Sequence, residues 1–264
     1  MSTLVFGIDC ATKAGKAGMV VAQWDNRRMS ICDVHVTKHP DTTMATELGD
    51  AIRSVRNERG PSSVLLALDA PLGWPDDLSK ALLNHEAGKA FPLLTDKDGD
   101  HRFFRRRTDQ EVADAYKKTP LDVGADRIAR TALAALRLLE AISGVAMAWT
   151  PGELEPGTFA IEVYPAATLR ALGLSASKTK NYKLPTDVGR EVRGQLLDSL
   201  KATVDGLEVH REKVLATDHA FDALVCVMAA SHFLSGAVVA PSDEHEKLAR
   251  REGWIWVKRP AERP

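Results

Sequence analysis

The opening apolar run, Leu4-Val5-Phe6-Gly7-Ile8, is too short for a helix and ends on a carboxylate, Asp9. Apolar runs of this length bounded by turn residues read as buried strands. An unpaired buried charge is costly, so a strand that ends in aspartate needs something to neutralise it. Asp9 therefore asks for a cation. The loop behind it is small and polar and carries Thr12, Lys13, Gly15, Lys16 and Gly18.

The same design recurs downstream. Ser63 to Asp69 (SVLLALD) is apolar throughout, which suits a central, parallel-type strand covered on both sides, and it too ends in aspartate. Thr158 to Val163 (TFAIEV) is a further strand closing on Glu162. Gly18 to Trp24 and Met29 to Val36 form a hairpin about the DNRR turn, giving an antiparallel meander with the first strand. Thr43 to Glu58 has helical spacing, with Met44, Leu48, Ile52 and Val55 on one face and Gly60-Pro61 as its stop.

Asp76 to Lys118 is polar and irregular, with a short helix expected at Leu78 to Ala87. It includes the basic-aromatic run His101-Arg102-Phe103-Phe104-Arg105-Arg106-Arg107-Thr108-Asp109, expected to lie in an insertion or flap of about residues 76–125. Helices follow at Asp126 to Ile142, at Pro165 to Gly173, at Thr186 to Val204 and at Thr217 to Leu234, the last capped by Thr217. A charged helix (Asp243 to Arg251) and a short Trp254-Ile255-Trp256-Val257 strand close the chain. The expectation is one α/β domain over residues 1–264, a mixed five-stranded sheet flanked by helices.

Composition narrows the function. A net charge of −1 over 264 residues excludes the strongly basic signature of a protein that coats nucleic acid, so any such contact must be a local patch. Cys10, Cys32 and Cys226 are widely spaced without a CxxC, which points to reduced thiols in the cytoplasm rather than a disulfide framework or a zinc site. The first apolar run breaks at Asp9 without a basic segment before it, so no signal peptide is expected. Nor does any segment reach the ~20 apolar residues of a membrane span.

Three acids thus close strands, Asp9, Asp69 and Glu162, and two more, Asp218 and Asp222, share a face of the most apolar helix. Asp222 lies among Phe221, Ala223, Leu224 and Val225, far from an end where the helix dipole would favour it. Were the first and fourth strands neighbours, Asp9, Asp69 and Asp222 would converge, and converging carboxylates call for a divalent cation, with oxygen ligands favouring Mg²⁺ or Mn²⁺. Two such ions about 3.5–4 Å apart serve phosphodiester cleavage, Asp9 bridging both, Asp69 holding one and Asp222, supported by Asp218, the other.

Blander roles stand beside these. Asp218 also suits a helix cap, Asp69 a turn, and Glu162 an ion pair with one of the many arginines, such as Arg107, Arg127 or Arg130. Arg102, Arg105, Arg106 and Arg107 form either a solvated basic loop or, with Phe103 and Phe104, a surface that grips phosphates and stacks bases. His85, His101 and His219 lack ligand spacing and read as structural or exposed. Trp254 and Trp256 read as packing residues, with room for an apolar contact to a second copy.

The order of elements, with acids on the first strand, the fourth strand and a late helix, resembles the ribonuclease H-like fold, and within it the Holliday-junction resolvase branch. The blocks GIDCA, LDAPLGWP, FRRRTD, IEVYPAATLRALG, DHAFDALVCVMAA and EGWIWV resemble domain-of-unknown-function family 429, predicted to be a ribonuclease H-like nuclease family. The resemblance runs from Phe6 to Val257. It implies a metal-dependent nuclease acting on nucleic acid or a nucleotide, with Asp9, Asp69, Glu162 and Asp222 as acidic motif positions. Arg107 and Asp109 fall on its RxTD-like block. Lys13 and Lys16 could hold a phosphate. Two rivals share the fold: an ATPase or kinase-like protein, disfavoured because the chain lacks a second copy of the fold, and a nucleic-acid-binding module without catalysis, disfavoured by the complete acid set.

Overall fold

The computed structural model describes residues 2–12, 17–36, 44–59, 63–95, 99–124 and 126–260; Lys13, Gly15 and Lys16 lie outside them. The chain runs through β1 (Thr3–Asp9), β2 (Gly18–Asp25), β3 (Arg28–Val36), α1 (Met44–Arg59), β4 (Ser63–Asp69), α2 (Asp76–Leu82), α3 (Arg107–Tyr116) and α4 (Asp126–Ala141). It continues with β5 (Val145–Met147), β6 (Gly157–Val163), α5 (Pro165–Ala171), α6 (Asp187–Leu200), α7 (Leu207–Ala216), α8 (Asp218–Leu234) and α9 (Glu246–Glu252).

The strands form one sheet in the order β3-β2-β1-β4-β6-β5. The expected meander is present, with β2 antiparallel to both β1 and β3, while β1, β4, β6 and β5 run parallel. This is a mixed α/β fold flanked by helices, with six strands where the sequence suggests five. The additional strand, β5, is a three-residue edge. The expected strand at Trp254 to Val257 instead makes an isolated bridge between Ile255 and Glu162.

Successive residues of a strand face opposite sides of the sheet, and the two cores follow that alternation. Val5, Val20, Leu65, Ala67, Ile161 and Val163 face α8, α7 and α6, whereas Phe6, Ile8, Leu66, Leu68 and Ala160 face α1 and α4. Helix α8 lies directly on β1 and β2 because two glycines leave the space. A Cβ at Gly7 would lie 2.1 Å from the Ala223 carbonyl oxygen, and one at Gly18 2.1 Å from that of His219.

The segment expected as an insertion or flap carries α2 and α3 with irregular backbone between them. Helix α2 begins two residues before the expected Leu78 and ends at Leu82, and α3 starts inside the basic run. Helix α7, absent from the sequence reading, covers β3. Trp254 and Trp256 are buried within the chain and offer no surface to a second copy. No helix among the described residues is long and apolar enough to cross a membrane.

Candidate metal centre

Asp9 and Asp69 end neighbouring parallel strands in register with one another, and their positions share the alternation that points Val5 and Ala67 at α8. Asp222 comes down from the second turn of α8, only 1% exposed. Thr217 starts that helix, its hydroxyl accepting from the Ala220 N–H at 3.0 Å. The glycine contacts seat α8 close enough for one carboxylate oxygen from each of Asp9, Asp69 and Asp222 to lie within 4.8 Å of the others.

Three side chains attend this cluster. The Tyr182 hydroxyl donates to Asp222 Oδ1 at 2.9 Å, and the Lys183 ammonium lies 2.6 Å from Asp222 Oδ2. His219 Nδ1 is 2.5 Å from Asp9 Oδ2. Among the described residues nothing hydrogen-bonds or ion-pairs with the Asp69 carboxylate. Burial raises the Asp9 pKa to about 6; the His219 hydrogen bond opposes it and Asp222 adds to it. Burial, then the charges of Asp9 and Asp222, push Asp69 well above the carboxylate range. Burial also raises Asp222 against the pull of Lys183. Lys183 has a side chain 56% exposed; partial desolvation opposes its charge, but Asp222, Tyr182 and Asp69 outweigh it and hold the ammonium above its ordinary pKa. Asp9 and Asp69 open into a cavity of about 500 Å³ bordered also by Glu162, Arg106, Tyr164, Arg170 and Lys183.

A family model described as "Protein of unknown function (DUF429)" matches residues 7–246. The chain belongs to the DUF429 family. No curated protein matches it significantly. Among solved structures it is similar to T. thermophilus RuvC in complex with a Holliday junction substrate, at 11% identity and a TM-score of 0.30, over 89% of this chain and 96% of that one.

Two other acids expected at the centre of this DUF429 chain, Glu162 and Asp218, are not among the three converging carboxylates, although Glu162 borders the same cavity. Glu162 is opposite Leu68, one residue out of step with Asp69, and a one-residue offset in a strand reverses the face. Both its oxygens are taken by Arg106, at 2.6 and 2.8 Å, and Oε2 also accepts from the Leu72 N–H. The arginine partner expected for Glu162 is thus found, and it is Arg106 rather than Arg107, Arg127 or Arg130. Asp218 opens α8 beside the cluster without joining its three oxygens, and its nearest charged contact is His219 Nε2 at 3.9 Å.

The basic run does not form a free phosphate-gripping loop. Arg106 is 1% exposed and also binds Asp109, whose carboxylate returns to the Arg106 N–H and closes a capping box at the start of α3. Arg102 pairs with Asp77, Arg105 with Asp122 at 2.9 Å and Arg107 with Glu111 at 2.7 Å. Of the RxTD-like block it is Arg106, not Arg107, that works with Asp109. Conversely, His219, which reads as structural or exposed in the sequence, and Tyr182 and Lys183, which carry no signal there, border the acid cluster. His219 was legible in principle, since it precedes Asp222 by three positions and so shares its helix face. Tyr182 and Lys183 sit in a turn-rich polar stretch with no periodicity to signal them.

Proposed function

We propose that this DUF429 chain is a divalent-metal-dependent nuclease that hydrolyses phosphodiester bonds. The observation that carries the reading is Asp69, a carboxylate held in a cluster of three and left without a partner among the described residues. Its two companions are each steadied by neighbours, so Asp69 is the carboxyl at the cavity left open to a cation. The donors are all carboxylate oxygens, the chemistry that suits Mg²⁺ or Mn²⁺, and the residues fit such an ion. When bound, a divalent cation there supplies a Lewis acid for the phosphate and lowers the pKa of a coordinated water.

The chain's own residues do the rest. Asp9, Asp69 and Asp222 would hold the ion, Tyr182 fixes the rotamer of Asp222 and His219 that of Asp9. Glu162 acts at a distance: through its bond to the Leu72 N–H it shapes the turn that leaves Asp69. The cavity, about 500 Å³, accommodates a nucleotide-sized part of a substrate. Incubation with single-stranded and duplex DNA and RNA, in Mn²⁺ or Mg²⁺ and in chelator, tests the reading. Cleavage that needs metal and is lost in Asp9→Asn and Asp222→Asn is expected. Cleavage that persists in chelator, or in both variants, refutes it, as does the absence of cleavage on all four substrates.

A further inference from the structure

The residues around Lys183 are pinned more firmly than a polar turn requires. Tyr182 is buried with its ring 5.5 Å from that of Phe221, on the helix that carries Asp222. Arg193 of α6, itself 3% exposed, donates to the carbonyl oxygens of Tyr182 at 2.7 Å and Leu184 at 3.2 Å, the residues on either side of Lys183. Gly189 brings α6 against the same stretch, because a Cβ there would lie 2.0 Å from the Leu184 carbonyl oxygen. A lysine side chain is long and usually free to wander. Here the side chain is half-exposed, but the backbone beneath it is clamped, and its ammonium is delivered to the buried Asp222 Oδ2 at 2.6 Å.

We propose that Lys183 is a resident cation of the acid cluster, so that the centre takes one divalent ion rather than the two that its acids alone suggest. Three carboxylates, ionised when they hold a metal, and one ammonium leave two negative charges, which a single Mg²⁺ or Mn²⁺ balances. Asp69 and Asp9 are then the open ligands, and Asp222 is shared with Lys183. This inference rests on the metal-dependent reading above and specifies its stoichiometry.

The test is Mn²⁺ binding to the full chain at pH 7.5, followed by calorimetry and by the electron paramagnetic resonance of free Mn²⁺, for the wild type, Lys183→Met and Lys183→Arg. The wild type is expected to bind one ion. Lys183→Met should take up a second or bind the first roughly tenfold or more tightly, since a like charge a few ångströms away is gone. Lys183→Arg should keep one. Should Lys183→Met not fold by circular dichroism, Lys183→Gln, which still donates to Asp222, replaces it. Two ions in the wild type, or a folded neutral variant with unchanged stoichiometry and affinity, overturns the proposal. If the wild type binds none and the neutral variant binds one, Lys183 replaces the metal altogether and the proposal is likewise overturned. No binding by any of them refutes the metal-dependent reading itself, a distinct failure that removes the ground of this one.

Discussion

Replacing Asp9 by asparagine should make the metal-free protein more stable at neutral pH, although it removes a hydrogen-bonding acid from the interior. Asp9 has an ordinary pKa of 3.8 and a folded-state value of about 6, raised mainly by burial. Below the lower value the carboxyl is protonated in both states. Between the two, the folded chain keeps a proton that the unfolded chain has released, so stability falls as pH rises and levels off above about 6. Across the whole window this amounts to about 3 kcal/mol, and about 1.3 kcal/mol of it is lost between pH 5 and pH 7. His219 acts in the same direction. Its pKa is raised by the hydrogen bond to Asp9, so its contribution is present below its ordinary 6.5 and is lost as pH rises through the folded value. Asp9→Asn abolishes both. At about 2–4 °C per kcal/mol, wild-type Tm in chelator should drop between pH 5 and pH 7 by roughly 3–5 °C more than that of the variant. Tryptophan fluorescence melting at the two pH values measures this, and staying above pH 5 keeps Asp33 and Asp198, whose pKa values are lowered, ionised throughout. Parallel Tm profiles for the two proteins would show that Asp9 carries no burial penalty, and the case for a cation at its carboxylate would go with it. Saturating Mn²⁺ should reverse the order at pH 7, stabilising the wild type and not the variant.

Three further outcomes follow from the packing. Gly7→Ala drives a methyl into the Ala223 carbonyl oxygen, a backbone atom that yields only if α8 shifts, so urea unfolding should show a loss of about 2–3 kcal/mol together with weakened Mn²⁺ binding; undiminished metal binding would separate the glycine from the site. Arg106→Met strands Glu162 and Asp109 as buried charges and should cost about 3–5 kcal/mol, whereas Arg105→Ala, which breaks an exposed pair, should cost less than about 1 kcal/mol, and equal losses in urea unfolding would contradict the assignment of Arg106 as a brace. Tyr182→Phe deletes one hydrogen bond to a buried carboxylate and should lower stability by about 1.5–3 kcal/mol in the same assay, with no change expected if Asp222 is held by Lys183 alone.

The three converging acids were readable in the sequence because each breaks a local rule: Asp9 and Asp69 end apolar strands, and Asp222 interrupts an apolar helix. A departure from pattern inside a buried element is visible without knowing what lies opposite it. Glu162 breaks the same rule and borders the same cavity, yet it pairs with Arg106 rather than joining the three acids, because strand-end position does not specify face. Face depends on register, and only the pairing of Glu162 with Leu68 rather than Asp69 decides that it turns away. The carboxylate partners of the arginines were hidden from the sequence for a related reason. A run of positive charge looks available until its partners are known, and those partners, Asp77, Asp122, Glu111 and Glu162, are spread over nearly ninety residues of chain. Only the Arg106–Asp109 spacing, a local capping box, could have been read directly. Lys183 is the extreme case. Its position is set by Arg193, Gly189 and Phe221, none of which announces a cation site, and its meaning is set by acids contributed from three other elements. A charge-neutralising residue of this kind can be recognised only after the fold has brought its partners together, which makes Lys183, rather than any of the acids, the residue on which the stoichiometry of the centre turns.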